Sequence, residues 1–269
     1  MVEKRVNRKV AHGITAVLTC LLTFAPVEAQ GDTPLDIKPK VPLQAGIKHD
    51  ETLPALPDQY QIGSSLDDVQ LQPMVADNVW FPIPDWMAGS WHTENKTVDF
   101  VQDFTTGVTA SPHVVVKESQ DSIHGHQRDK SGRIWEYVEI PRVRKIGLAN
   151  GSAYLRALRE DVIVSDPNEV MLKFLTNQVT VGGKKQSILD SKQIQQFITY
   201  MPLEDGVIKI NASLKNFDES GAPQQLQKSE ALMNRTKPYE NMDTLNGHDL
   251  KKLFADYLQK TGHADLIPN

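Results

Sequence analysis

Alternation between hydrophobic and polar side chains is the main pattern of the sequence beyond about residue 86. Between 208 and 215 every second residue is apolar, namely Ile208, Ile210, Ala212 and Leu214. A period of two residues is that of a strand with one buried face and one wet face. Clusters of turn-forming residues separate such runs, at 129–132, 165–168, 182–183, 204–206 and 218–221. The pattern predicts a mainly β protein of sequential antiparallel hairpins, with no βαβ repeat to indicate a parallel sheet.

One amphipathic helix is predicted near the C-terminus. Apolar residues recur there at the spacing i, i+3, i+4, i+7 and i+8, namely Leu250, Leu253, Phe254, Tyr257 and Leu258. Thr244 or Asn246 would cap the helix N-terminus, and Gly262 lies just past its end. We therefore expect a helix over roughly 246–260 that packs on the outside of the β-domain.

The segment before the alternating runs is rich in proline. Between Gly31 and Pro84 the chain carries eight of its sixteen prolines. Such a segment forms neither long helices nor central strands. We expect an extended arm, partly disordered up to about Tyr60, that acts as a spacer and adds few apolar residues to the core.

The first 29 residues have the pattern of a secretory signal peptide. Four basic residues lie within the first nine, and the apolar run Ile14–Phe24 is too short to span a bilayer. Small residues at 27 and 29 place the cleavage site before Gln30. An N-terminal membrane anchor and a lipoprotein signal ending at Cys20 are the alternatives. The expected protein is exported, periplasmic or extracellular, and its mature form has no transmembrane span.

The net charge and the cysteine content exclude several classes of function. The chain of 269 residues has a net charge of −5, with 29 basic and 34 acidic residues. Cleavage would remove four basic and two acidic residues, which leaves 25 against 32 and a mature charge of −7. This balance gives no basic excess for phosphate backbones, so we expect no nucleic-acid partner. The single cysteine leaves with the signal, which excludes disulfides and thiolate chemistry from the mature protein.

The segment Trp86–Trp91, read Trp-Met-Ala-Gly-Ser-Trp, resembles the opening of lipocalin-like (calycin) β-barrels, in particular bacterial families that begin Trp-Leu-x-Gly-x-Trp. The resemblance covers about 86–240 and implies an antiparallel up-and-down barrel. In such barrels Gly89 would let the chain bend into the first strand, and Trp91 would plug one end. An arginine that follows the last strand commonly covers this tryptophan, and Arg235 lies at a suitable place.

The resemblance and the composition together divide the chain into 1–29 as signal peptide, 30–78 as proline-rich arm, 79–240 as barrel, and 241–269 as C-terminal helix and tail. The residues expected to bind a ligand or close the barrel are Trp86, Gly89, Trp91, Trp135 and Arg235.

Residues that could carry catalysis or bind metal are few. His124 and His126 flank Gly125 and could share a metal, but no third ligand follows from the spacing, so we expect a solvent-facing polar hairpin edge and no metal. No standard catalytic signature is present, so an isomerase or lyase has no recognisable catalytic set. The residues after Trp91 lack the glycine pattern of haem-binding nitrobindin-like barrels, and no cofactor is expected.

Two functions remain open from the sequence. The first is an exported lipocalin-like protein that binds a small, mostly apolar ligand in its barrel, as the resemblance implies. The alternative is a non-enzymatic structural or assembly component of the envelope, with a packed interior and with the arm and the C-terminal helix in contact with a protein partner.

Overall fold

The computed structural model describes residues 47–66, 77–182 and 186–268, in which antiparallel β-structure dominates. The strands are β1 (Asp77–Ile83), β2 (Gly89–Asp103), β3 (Thr109–Ala110), β4 (Val114–His124), β5 (Gln127–Arg128), β6 (Ile134–Ile140), β7 (Arg142–Leu148), β8 (Gly151–Ser165), β9 (Val170–Gly182), β10 (Ser187–Glu204), β11 (Val207–Asp218), β12 (Pro223–Lys237), β13 (Thr244–Leu245) and β14 (His248–Asp249). The α-helix α1 is Leu250–Lys260. Short 3-10 turns occupy Asp58–Tyr60, Asp85–Met87 and Ala264–Leu266.

The main sheet is built from strands that pair in chain order. Each strand from β7 to β12 pairs with the next one along the chain, and β12 then pairs with β2, which also pairs with β3 and β4. The sequential antiparallel hairpins predicted from the sequence are confirmed. Among the described strands no ladder joins β4 to β7, so the closed barrel that the resemblance implies is not part of the described architecture.

A second, smaller sheet contains β1, β6 and β5 in that order. The chain enters it from β4 through Gly125 and leaves it for β7 through Pro141. Gly125 has φ of +80°, and a Cβ at this position would lie 2.7 Å from Cγ2 of Ile134. Glycine is therefore required at the point where β4 passes into the small sheet.

The largest apolar core lies between the two sheets. We call the face of the main sheet that carries Ile198 and Ile210 its inner face, and the opposite one its outer face. The β11 residues Ile208, Ile210 and Ala212 all belong to this core, as the alternating pattern predicts. From the small sheet it receives Phe81, Ile134 and Val138. Burial of these side chains is the main favourable contribution to folding.

Helix α1 covers the other side of the small sheet. Its buried residues Leu250, Phe254 and Leu258 pack with Trp80, Trp135 and Tyr137. External packing of the helix is thus confirmed, but it begins at 250 rather than about 246. Asp249 is the N-cap and accepts a hydrogen bond from the backbone of Lys252 at 3.0 Å. Thr244 and Asn246 cannot cap it, because the short β13–β14 hairpin occupies those positions.

The described part of the arm packs on the outer face of the main sheet. Leu56 and Tyr60, each 3% exposed, and Leu66 join a second core with the β9 residues Val179 and Val181. Backbone N–H groups of Leu53 and Leu56 donate to the turn after β11, at 219–221. The expectation of a spacer that adds few apolar residues to the core is therefore wrong for 47–66. The proposed signal peptide, Cys20 and the arm up to residue 46 lie outside the described residues.

Candidate functional site

A group of ionisable side chains lies within the apolar core, on the inner face of the main sheet. It forms where the ends of β4 and β7 meet β6, β8 and β10. We call it the interior cluster, and it consists of His124, His126, Glu136, Arg142, Glu160 and Tyr200. Ionisable groups are seldom buried unless they are paired, so each member needs an account of its partners.

Glu136 is at the centre of the cluster and is 1% exposed. It occupies the same phase of β6 as the core residues Ile134 and Val138, which aims it into the interior. Its Oε2 accepts a short hydrogen bond from the backbone N–H of Gly125, and its Oε1 lies 3.4 Å from Nδ1 of His124.

The two histidine rings make different contacts. Nδ1 of His126 accepts a hydrogen bond from the backbone N–H of Tyr137 at 3.0 Å, so it carries a lone pair and its proton is on Nε2. The 3.4 Å contact from this nitrogen to Glu136 is therefore not an ion pair. Nδ1 of His124 lies 3.4 Å from Oε1 of Glu136, and this contact does not form a hydrogen bond.

Glu160 forms the second half of the cluster, on β8. Its Oε2 accepts a hydrogen bond from Nη2 of Arg142 at 3.1 Å. Burial raises the pKa of Glu160 to about 7, against the opposing charge of Arg142 and with a contribution from Glu136. Perturbed pKa values of this kind occur at functional sites and also in structural ion-pair networks.

A small cavity adjoins the cluster. Tyr200 and His124 form part of its wall, and their ring centroids are 5.4 Å apart. The cavity measures about 20 Å³, enough for about one water molecule. Burial and the carboxylates of Glu160 and Glu136 raise the pKa of Tyr200, so its hydroxyl keeps its proton. The rest of the wall is Thr93, Gln120, Ser122, Ile198, Ile210 and Met233.

Three buried polar atoms of the cluster lack a hydrogen-bond partner among the described residues. They are Oε1 of Glu136, Oε1 of Glu160 and Nδ1 of His124, the last of which makes only the long 3.4 Å contact. An unsatisfied buried polar group costs roughly 1–3 kcal/mol, and more when it is charged. Such a group in a native interior needs a bound molecule to satisfy it or a function to explain it.

The arrangement does not suit a metal ion. Within the described residues no three His, Cys, Asp or Glu side chains are grouped so that they could hold one. Chemically, the cluster offers hydrogen bonding and proton exchange beside a partly apolar wall.

Three of the sequence-predicted residues come together at one end of the inner face. Trp91 is 1% exposed, and its indole N–H donates to the Met87 carbonyl at 2.9 Å. The guanidinium carbon of Arg235 lies 4.8 Å from the Trp91 ring centroid, which is the cation–π contact expected from the resemblance. Gly89 has φ of +136°, and a Cβ there would lie 2.7 Å from the Lys237 carbonyl oxygen, so only glycine fits.

The other two tryptophans occupy different places. The Trp86 carbonyl accepts a hydrogen bond from Arg235 at 2.9 Å, and the Trp86 indole N–H donates to the Pro167 carbonyl at 2.7 Å, so this residue borders the Trp91 end. Trp135 lies on the far side of the small sheet, where it packs against Phe254 of α1. Its place is therefore in the helix interface rather than at the cavity.

The expected solvent-facing position of His124 and His126 is wrong, because both are buried against Glu136. The sequence reasoning also missed Glu136, Arg142, Glu160 and Tyr200 as a group. One signal was present, since Glu136 has the same phase as the apolar residues Ile134 and Val138 in the run 134–140. The cluster forms where five separate strands meet, and the spacing of residues in the sequence does not predict that meeting.

The function of the chain has to be inferred from the interior cluster, because comparisons with known proteins give no match. No protein-family model matches the chain, and no curated protein or solved structure is significantly similar to it. Across the described residues, no helix has the length and apolar character needed to cross a membrane.

Proposed function

We propose that this protein binds a small, mostly apolar ligand on the inner face of its main sheet, at the cavity beside His124 and Tyr200. The observation that carries the proposal is the interior cluster, two of whose members, His124 and Tyr200, form part of the wall of a cavity. Enclosed pockets with apolar walls and a few convergent polar groups are the usual form of small-molecule sites.

The walls of the cavity favour an amphipathic occupant. On β4 the successive inward side chains Gln120, Ser122 and His124 are all polar. Across from them Ile198, Ile210 and Met233 supply apolar contacts. A ligand with a hydrocarbon body and one hydrogen-bonding group would satisfy both walls.

The cluster is hard to explain by stability alone. Replacement of buried ion pairs by hydrophobic residues of similar volume is often neutral or stabilising. A solid interior built only for support would therefore gain nothing from Glu136 and Glu160 at core positions. Groups with perturbed pKa values in an enclosed site are instead typical of binding and catalytic sites.

Ligand binding requires the cavity to enlarge, since about 20 Å³ admits only water. The wall has side chains that can move, because Met233 and Gln120 are unbranched and have several rotatable bonds. The edge of β4 that does not face β2 has no ladder partner among the described strands, so this wall is held from one side only.

The architecture we propose around this site is a lipocalin-like barrel in an exported protein. It is supported by strands that pair in chain order from β7 to β12 and by the return of β12 to β2. The buried Trp91, covered by Arg235, adds to this support. Antiparallel barrels of this size commonly enclose one small ligand.

The test is native mass spectrometry of the protein released from its source, followed by titration with the compound that it carries. We expect one bound small molecule per chain, lost when the cavity is filled by Ile210→Phe. The matched control is Asn211→Phe, the next residue on the same strand, whose side chain projects to the outer face. Circular dichroism confirms that both variants fold. A bare chain from the source, or equal binding by both variants, contradicts the proposal.

The alternative function, an envelope component that contacts a protein partner, has to use surfaces other than those buried within the chain. The apolar side of α1 faces Trp80 and Trp135, and Leu56 and Tyr60 of the arm are buried on the main sheet. A protein partner would therefore have to contact the polar side of α1.

A further inference from the structure

The arm is held on the outer face of the main sheet by a polar anchor as well as by its apolar residues. His49 is the centre of this anchor. Its Nδ1 lies 3.0 Å from Oε1 of Gln195 on β10, and its Nε2 lies 2.8 Å from Oγ of Ser213 on β11. The ring also packs edge-to-face with Phe197, at a centroid distance of 5.0 Å. One side chain of the arm therefore contacts two neighbouring strands of the sheet.

The hydrogen bonds of the anchor are satisfied by a neutral ring. Oε1 of Gln195 also accepts from the backbone N–H of Asp50 at 2.9 Å, while the Gln195 Nε2 donates to the Asp50 carboxylate. These two contacts assign the amide oxygen as the acceptor, so Nδ1 of His49 carries a proton. Nε2 of His49 then accepts from the Ser213 hydroxyl, and neither ring nitrogen needs a positive charge on the ring.

The charged groups around His49 disfavour a second proton on its ring. Lys173 on β9 and Lys215 on β11 both act on the ring, and the Lys215 ammonium donates to the Asp50 carbonyl at 2.7 Å. The Asp50 carboxylate favours a charged ring, but it already accepts from Gln195 and lies 3.5 Å from the Lys173 ammonium. A protonated His49 would thus add a third positive charge beside two lysines.

The docked and the free arm therefore differ in their affinity for a proton. Burial lowers the pKa of His49 from 6.5 to about 4, and Lys215 and Lys173 act in the same direction. The hydrogen bond to Gln195 and the charge of Asp50 oppose this effect only in part. Because the free ring binds a proton more readily, docking is strongest at neutral pH and weakens as the pH falls from 6.5 towards 4.

We propose that His49 is an acid-sensitive latch, whose neutral ring holds residues 47–52 of the arm on the outer face and whose protonation releases them. Release would uncover Phe197 and Ser213, which are 5% and 1% exposed when the arm is docked. The apolar packing of Leu56 does not involve His49 and remains in acid. The latch is independent of the proposed ligand site, which lies on the inner face.

The first measurement is the titration of His49 in the wild type, followed by the NMR chemical shifts of its ring protons. We expect a midpoint well below 6.5, because the docked ring resists protonation. A midpoint of 6.5 or above would show that docking does not favour the neutral ring, and it would overturn the proposal.

The second measurement is native-state hydrogen exchange at the Asp50 amide, which donates to Gln195. After correction for the intrinsic exchange rate, its protection should fall about twentyfold from pH 7 to pH 5, because at pH 5 a free ring is almost fully protonated and a docked ring is mostly neutral. The Leu56 amide, which donates to the Glu219 carbonyl, should keep its protection.

Two variants locate the effect. His49→Gln retains an uncharged hydrogen-bonding side chain and should remove the pH dependence of protection at Asp50. The matched control is His92→Gln, which removes an exposed histidine paired with Asp121 at 2.6 Å and should behave as the wild type. Circular dichroism checks that each variant folds, and the wild-type titration decides the matter if His49→Gln leaves the arm undocked at both pH values.

Two results of the exchange experiment would also contradict the latch. A pH dependence at Asp50 that persists in His49→Gln would assign the response to another titratable group. An equal loss of protection at Leu56 would show that acid acts on the whole fold rather than on residues 47–52.

Discussion

Truncation of Trp91 tests the part of the fold on which the lipocalin-like proposal most depends. Trp91 is almost fully buried within the main core, where it packs with Met87 on the same end of the inner face. In Trp91→Ala this packing is lost, together with the indole hydrogen bond to the Met87 carbonyl. A buried tryptophan replaced by alanine costs about 3–5 kcal/mol, a large share of the stability of a domain.

The Arg235 contact adds a separately measurable contribution. Its guanidinium lies against the Trp91 ring, and its N–H groups donate to the Trp86 carbonyl and to Asp205. A double-mutant cycle of Trp91→Ala with Arg235→Leu should give a coupling of about 0.5–2 kcal/mol for a desolvated cation–π pair. The hydrogen bond to the exposed Asp205 does not contribute to this coupling energy, because it is absent from both proteins that carry Arg235→Leu.

Chemical denaturation, followed by circular dichroism, gives the free energy of unfolding of all four proteins in the cycle. Trp86→Ala is the matched control, since Trp86 is only half-buried and lies outside the centre of the core. A loss below about 1 kcal/mol for Trp91→Ala, the size of a surface change, would refute the central packing of this residue. The Trp-x-x-Gly-x-Trp motif would then give no support to the proposed barrel.

Three further predictions concern the arm, the helix and the interior carboxyl. Leu56→Ala should lower the free energy of unfolding by about 2–5 kcal/mol, whereas Ile62→Ala, in the exposed part of the arm, should change it by less than about 0.5 kcal/mol; equal effects would show that the arm is a spacer. Phe254→Ala should cost about 3–5 kcal/mol in the same assay, against little for the exposed Lys251→Ala, and a helix that tolerates both changes is not docked on the small sheet. Because burial raises the pKa of Glu160 from 4.5 to about 7, its contribution to stability is complete below pH 4.5 and is lost as the pH rises through 7. The stability of the wild type relative to Glu160→Gln should therefore fall by about 3 kcal/mol between about pH 4 and pH 8, and a difference independent of pH would contradict the burial of this carboxyl.

The strands and the C-terminal helix could be predicted because their signals are local. Ile208, Ile210 and Ala212 mark the inner face of β11 by alternation alone, and Leu250, Phe254 and Leu258 mark one face of α1 by helical spacing. The start of the helix was less predictable, because the competing hairpin 244–249 depends on pairing across a turn at Asn246 and Gly247.

The prediction for the arm was wrong because proline content determines which backbone structures can form, and not where the side chains pack. Pro54 and Pro57 cannot donate to a ladder, yet they leave Leu56 and Tyr60 free to pack on the outer face of β9. The apolar surface that these side chains cover belongs to Val179 and Val181, more than a hundred residues away. Sequence periodicity within β9 shows only that both of its faces are partly apolar, and not which segment covers the outer one.

The interior cluster could not be predicted either, because the strand topology brings together side chains that are distant in the sequence. His124 and His126 look like a polar edge because their neighbours in sequence are charged, whereas the turn at Gly125 brings both rings onto Glu136. A carboxyl at an apolar position of a strand breaks the local pattern, and a sequence consistent at every level would place a hydrophobic residue there. Such exceptions are expected where function outweighs stability, so the position of Glu136 within the apolar phase of β6 itself points to the site.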